Sequence, residues 1–235
     1  MSFFWEGLQQ AWHLIVTGDP TLRKLTWVTL KVAAVSTAVA LAGGVPIGLV
    51  LGVGRFPGRR ILLSVANLGF VLPPVLVGLV LALLFWPEAP LGRLHLLYTL
   101  KAVYVAQIVL ALPIVIALTA AAAQAVPTGL LDQARAFGAR PHRVWMLALR
   151  EARIGVFTAA IAAIGSALAE VGAVVLVGGN IVGRDQTLAS AALFSVNAGD
   201  YSEGLAIGII LLGLLAYWIW RILRKRGSGA SEPQG

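Results

Sequence analysis

Apolar residues gather along this chain into five long runs, at about 25–53, 61–86, 99–126, 154–177 and 204–223, with short polar stretches between them. Each run is long enough for a helix that crosses a bilayer, which takes roughly 20 apolar residues. The first run holds Gly43-Gly44 and Pro46, residues that membrane helices tolerate where neighbouring helices re-satisfy the backbone. The second holds Leu72-Pro73-Pro74 near its middle; two amide donors are lost there, so the helix must break or kink. Residues 3–16 are too short to span. Phe4, Leu8, Trp12 and Ile15 fall at helical spacing, with Glu6, Gln9, Gln10 and His13 between them, which predicts an amphipathic interfacial helix anchored by Trp5 and Trp12. Gly18-Asp19-Pro20 then makes a turn. The middle of the 178–203 loop, 187–196, suits a short re-entrant helix, and 227–235 reads as a disordered tail after a single membrane domain, 1–226.

One polar stretch, 131–153, stands apart between two apolar runs and carries five arginines. Thr128 suits a helix cap with Asp132 in the first turn near the positive end of the dipole. Gly138 supplies a left-handed stop, and Pro141 suits the first turn of a second helix running through Trp145 towards the membrane. The pattern predicts helix, glycine corner, helix across a loop at 127–153. Leu130, Leu131, Ala134 and Phe137 give the first helix an apolar edge that needs something to pack against. The plainer alternative is a basic loop touching anionic headgroups, but lipid attraction needs no glycine corner.

Composition agrees with the pattern. Charged residues make up 12% of the 235, about half the share in soluble domains, and mean hydropathy is +0.88. The runs do not alternate, which excludes a transmembrane β-barrel. The net charge of +8 would point to nucleic acid in a soluble protein; here it reflects basic residues held at one membrane face, and no nucleic-acid partner is expected. Twelve of the eighteen Lys and Arg fall on the face that holds 131–153 and the C-terminus, which marks that face as cytoplasmic and puts the N-terminus outside. There is no cysteine, and His13, His95 and His142 form no ligand spacing, so no metal or cofactor is expected in the chain. No phosphate-binding G-x-x-x-x-G-K-[ST] loop is present, and no nucleophile–base pair lies within the runs, so an enzyme is not expected.

Asp132-Gln133-Ala134, Arg135-Ala136-Phe137 and Gly138 resemble the Glu-Ala-Ala–x3–Gly motif of the inner-membrane permeases of ABC importers. Ala148-Leu149-Arg150-Glu151 stands where that motif continues with Ile-x-Leu-Pro. Gly18-Asp19-Pro20, Leu72-Pro73-Pro74-Val75-Leu76-Val77-Gly78-Leu79, Leu112-Pro113-Ile114, Ala169-Glu170-Val171-Gly172-Ala173 and Gly178-Gly179-Asn180-Ile181 are together similar to the tungstate/molybdate branch, over about 15–215. The resemblance implies a type I importer fold, all-α and polytopic, with about five transmembrane helices and cytoplasmic coupling helices. It also implies a homodimer in the prokaryotic inner membrane, a pair of ATP-binding subunits that hold ATP and magnesium, and an extracytoplasmic oxyanion-binding protein. Asp132, Gln133, Ala134, Arg135, Phe137, Gly138 and Arg140 would then contact the ATPase. Alternatives are a permease for sulfate or another small anion, and a non-transporting membrane anchor.

Candidate path residues are Pro73, Pro74, Ser166, Glu170, Gly178, Gly179 and Asn180. Glu170 is the one acid inside a run, and intramembrane acids are costly. It falls on a face with Ala159, Ala163, Ser166 and Ala173, all small. It is either a gate at the dimer axis or a structural acid, and its charge argues against direct contact with an anion. Pro73-Pro74 is either a kink lining the cavity or simple packing. Gly178-Gly179-Asn180 is either a helix cap or a set of amides offered to an anion. Asn67 and Gln107 read as interhelical hydrogen-bonding groups.

Overall fold

The computed structural model describes residues 2–227, and these residues are helical with no strand among them. Of the tail expected at 227–235, Gly227 is instead the last residue of α11, and 228–235 lie outside the described residues. In chain order the helices are α1 (Ser2–Thr17), α2 (Pro20–Val53), α3 (Arg59–Leu68), α4 (Pro74–Leu84), α5 (Leu100–Gln124), α6 (Thr128–Ala136), α7 (Pro141–Glu151), α8 (Arg153–Ala169), α9 (Gly172–Gly178), α10 (Leu188–Asn197) and α11 (Tyr201–Gly227). A single 3-10 turn, Gly92–Leu94, lies between α4 and α5. Among the described residues, α2, α5 and α11 are long and apolar enough to cross a membrane, and α7 with α8 passes the same test as a pair bent by 64°. The chain is a multi-pass helical membrane protein.

Three of the five expected spans are single helices. The second and fourth are broken, each for a local reason. In the second, α3 stops at Leu68 and α4 starts at Pro74, so the two prolines open a new helix rather than kink an old one. Proline fits there because the first amides of a helix have no partner to lose. In the fourth, the chain leaves the helix at Glu170, whose backbone is extended (φ −76°, ψ 128°), and re-enters at Gly172.

The chain packs as two compact units, with the boundary inside α2 at Leu30 and Lys31. In the unit Lys31–Gly179, α5 is central. Gly44 and Gly48 of α2 lie against Val115 and Thr119, and Gly52 lies against Ala123. Both helices advance four residues per contact in the same direction, so they run parallel. A Cβ at Gly44 would sit 2.7 Å from Val115 Cγ1, and one at Gly48 would sit 2.6 Å from Thr119 Cβ. Small residues are what let membrane helices approach this closely. On another side, Gly155 of α8 meets Ala122, and Ala163 joins Ala40, Ala111 and Val115 in a buried cluster, so α8 runs antiparallel to α5. Gly69, just past α3, sits on Pro113 of α5.

The other unit joins the first 30 residues to the segment after Gly179. Leu22, Leu25, Leu188, Ala191 and Ile207 form its buried cluster. Thr187 caps α10 in a reciprocal capping box with Ser190, and Thr29 Oγ1 accepts the Leu188 amide at 2.8 Å. A short helix therefore occupies the middle of the 178–203 loop. The N-terminal helix has a protein partner: Gly7 packs on Leu205, and Ser202 Oγ donates to Glu6 at 3.4 Å. Trp5 and Trp12 stay exposed. At the far end of α11, the Arg224 guanidinium lies 5.2 Å over the Trp220 ring.

Candidate functional site

The 131–153 stretch forms a helix, a corner and a second helix. Gly138 has φ +76°, a conformation that costs a residue with a Cβ about 1 kcal/mol or more. It ends α6 with a backbone bond from its amide to Arg135 O at 2.9 Å. Pro141 opens α7 as its first residue. The start of α6 differs from the sequence expectation. Pro127 is the N-cap and no side chain caps the helix, so Thr128 is already its first helical residue. Asp132 consequently falls beyond the first turn and pairs with Arg135 one turn on, at 2.5 Å.

The expected apolar edge of α6 divides. Leu131 is 3% exposed and joins Val126, Val144, Ala148 and Ala152 in a buried cluster, with Val53, Ala122 and Ala134 packed around it. Phe137, past the end of the helix, is 90% exposed. Leu131 packs on Val144 and Ala148 of α7, with Val53 at the end of α2 and Ala122 of α5 beside the cluster, whereas Phe137 lies at the corner and faces away from it. Gln133, Arg135 and Arg140 are exposed beside it, and Ala134 is half-buried. The corner is thus seated on the bundle through one side and presents an unpaired aromatic ring with basic neighbours on the other.

The candidate path residues fall partly together. α4 packs along α9: Gly78 faces the Ala173 backbone and Val75 faces Gly172. The two breaks, one before Pro74 and one at Glu170, are therefore neighbours. Glu170 does not lie on one continuous face with Ala173, because the helix ends between them. Its Oε1 accepts the Ala173 amide at 3.0 Å and so caps α9. Ser166 sits half-buried one turn earlier on α8. Gly178 is buried, and Gly179 takes φ +85° to cap α9, its amide donating to Val175 O at 2.9 Å. Tyr98 packs against Gly179. Asn180 begins the other unit, with φ +52° and its Nδ2 3.5 Å from Ser190 O.

Asn67 is exposed and donates to Leu63 O of its own helix at 2.8 Å, so it does not join helices. Gln107 is 1% exposed, and its Nε2 has no partner among the described residues. The acid that sequence reasoning missed is Asp185. It is 0% exposed, its Oδ1 accepts the Ile181 amide at 2.7 Å, and Oδ2 is unpartnered. Burial raises its pKa above the ordinary carboxylate value, opposed by that hydrogen bond and by the Arg184 charge. No signal in the sequence marked it, because a polar stretch such as Asn180 to Ser190 reads as a solvated loop.

Broken and continuous apolar helices, close small-residue contacts and a polar helical corner are the parts of a multi-pass membrane protein. Residues 44–228 match the family described as binding-protein-dependent transport system inner membrane component, and the chain belongs to that family of ABC transporter permeases. It is 40% identical over 199 residues to a "Probable anion ABC transporter permease protein" of Haloferax volcanii, covering 83% of this chain and 86% of that one. It is 31% identical over 212 residues to the "Tungstate uptake system permease protein TupB" of Peptoclostridium acidaminophilum, covering 90% and 93%. A solved chain of the MetNI methionine ABC transporter, in inward-facing form, superposes with a TM-score of 0.64 at 23% identity, over 87% of this chain and 95% of that one. The type I importer permease fold follows. As a member of this family the chain is a permease subunit and not an enzyme.

Proposed function

We propose that this permease carries tungstate or molybdate inward, driven by a separate pair of ATP-binding subunits. What supports the coupling half of this reading is Phe137: an aromatic ring 90% exposed at a corner, after a helix seated against α7 and beside the ends of α2 and α5. Residues Asp132 to Gly138, with Arg140, are the surface offered to the ATPase. Closure of the ATPases on ATP and magnesium, which the partner subunits hold, then moves α6 as a lever on α2, α5 and α8. The neighbouring breaks at Pro73-Pro74 and Glu170 are the gate. There a cap rather than a continuous helix joins the segments, so α9 turns against α8 without breaking a full ladder of backbone bonds. Glu170 acts by holding the start of α9, not by touching the anion.

The choice of ion is supported by the order and spacing of the motif segments and by the likeness to TupB. Two copies around a central path, an extracytoplasmic oxyanion-binding protein, an outside N-terminus and a cytoplasmic C-terminus complete the assembly. Sulfate or another small anion is the runner-up. Uptake of radiolabelled tungstate into proteoliposomes holding the complete complex tests both. Tungstate uptake that needs ATP and the binding protein, displaced by molybdate but not by equimolar sulfate, is expected. Equal displacement by sulfate rejects the choice of ion, and no ATP-driven uptake rejects the transport role. A reporter fused after Arg226 should be cytoplasmic and one at Asn197 exported; the reverse overturns the orientation.

A further inference from the structure

A second feature lies under the corner, wholly within the unit Lys31–Gly179. An open cleft of about 270 Å³ is lined by the end of α2, the turn into α3, the end of α5 and the start of α6. Three arginines line it, Arg55, Arg59 and Arg135, with Asp132 as the sole acid and Gln124 and Thr128 as further polar groups. Three guanidiniums against one carboxylate leave the lining with an excess of two positive charges.

One of the three cations, Arg59, is already fixed in place. Arg59 Nε donates to Leu51 O at 2.6 Å and Nη2 to Gly52 O at 2.9 Å, which satisfies the last carbonyls of α2. A guanidinium has five donors, so three of those on Arg59 remain. Arg135 pairs with Asp132 through Nη1 at the exposed side of the cavity, so it is oriented but not locked. Side chains fixed beforehand lose little entropy on binding a ligand, and the planar fork of arginine matches the edge of a tetrahedral oxyanion. Arg55, exposed in the turn just past α2, is the third cation of the lining.

We infer that this cavity binds the tetrahedral oxyanion of a phosphate group, as a free dianion or as a lipid headgroup. An occupant there ties the end of α2, through Arg55 and Arg59, to α6, through Arg135, and so stiffens the seat of the corner. The site is separate from the path and does not depend on which ion the permease carries; it shares Asp132 and Arg135 with the edge of the surface proposed to meet the ATPase, and it is tested on the permease alone.

The test uses the full chain in phosphatidylcholine nanodiscs. Equilibrium dialysis with labelled orthophosphate, and separately with tungstate, measures the free-ion arm. Native mass spectrometry of the chain taken from phosphatidylglycerol-containing nanodiscs measures the lipid arm. Arg55→Gln and Arg135→Gln should each weaken binding at least tenfold, while Lys31→Gln, outside the cavity, leaves it unchanged. Asp132→Asn should tighten it severalfold, a gain that loss of folding cannot imitate. Arginine-dependent retention in either arm supports the site and names its source. Binding that ignores both arginine variants, or no binding in either arm, overturns it. Arg59 is left intact because it also holds α2.

Discussion

Phe137 gives the sharpest test of the coupling surface, because in the isolated chain it packs on nothing. An aromatic side chain carries roughly 150–250 Å² of surface. With 90% of it exposed, about 180 Å² is free for a partner to cover. At about 25 cal/mol per Å² that is worth about 4.5 kcal/mol at most. Alanine keeps part of the contact and docking costs entropy, so Phe137→Ala should weaken association with the ATP-binding subunit by about 2–3 kcal/mol, roughly 30–150-fold. The same substitution should leave the thermal stability of the permease within about 0.5 kcal/mol, since no buried contact is lost. Two measurements are needed: the dissociation constant of the nanodisc-held permease for its ATPase, and the melting temperature of the permease alone. Unchanged affinity with unchanged stability would refute the assignment of the corner as the docking surface. A large fall in stability would show instead that Phe137 is structural.

Three further outcomes follow from particular contacts. Gly78→Val should destabilise the permease by about 1–3 kcal/mol, because even its Cβ would sit 2.6 Å from Ala173 Cα and must force α4 off α9; thermal unfolding in detergent measures this. Glu170→Ala should cost about 1 kcal/mol through loss of the cap on the Ala173 amide, whereas Glu170→Gln, which keeps an acceptor oxygen, should recover most of it in the same assay. Asp185 has a raised folded pKa, so between the ordinary value of 3.8 and that raised value the folded state holds more protons than the unfolded one. Its contribution is full below 3.8 and is lost as pH rises through the raised value. Asp185→Asn should flatten the fall of melting temperature with rising pH in that window, and an unaltered pH profile would show that Asp185 is not buried as described.

The spans, their order and the helical corner at Gly138 were legible in the sequence because each has a local cause. Apolar length sets a membrane helix, a glycine with positive φ ends one, and a proline in the first turn starts one. Thr128 was misread for a related reason: Pro127 was available as a cap without any side-chain bond, and one residue of shift moved Asp132 out of the first turn. What no local pattern carries is which surfaces meet. Gly44, Gly48 and Gly52 acquire meaning only from Val115, Thr119 and Ala123, which stand about 70 positions later. Phe137 and Leu131 look alike as apolar residues of one edge, yet one is exposed and the other buried, since the seat is built by α7 with the ends of α2 and α5 beside it. Glu170 reads as an acid inside a helix until the chain is seen to turn there, and Asp185 reads as a loop acid until its neighbours close over it. Hydrophobicity and backbone chemistry, which act over a few residues, determined the helices and their ends. Burial and partnership, which depend on distant segments arriving at the same place, were decided by the tertiary structure alone.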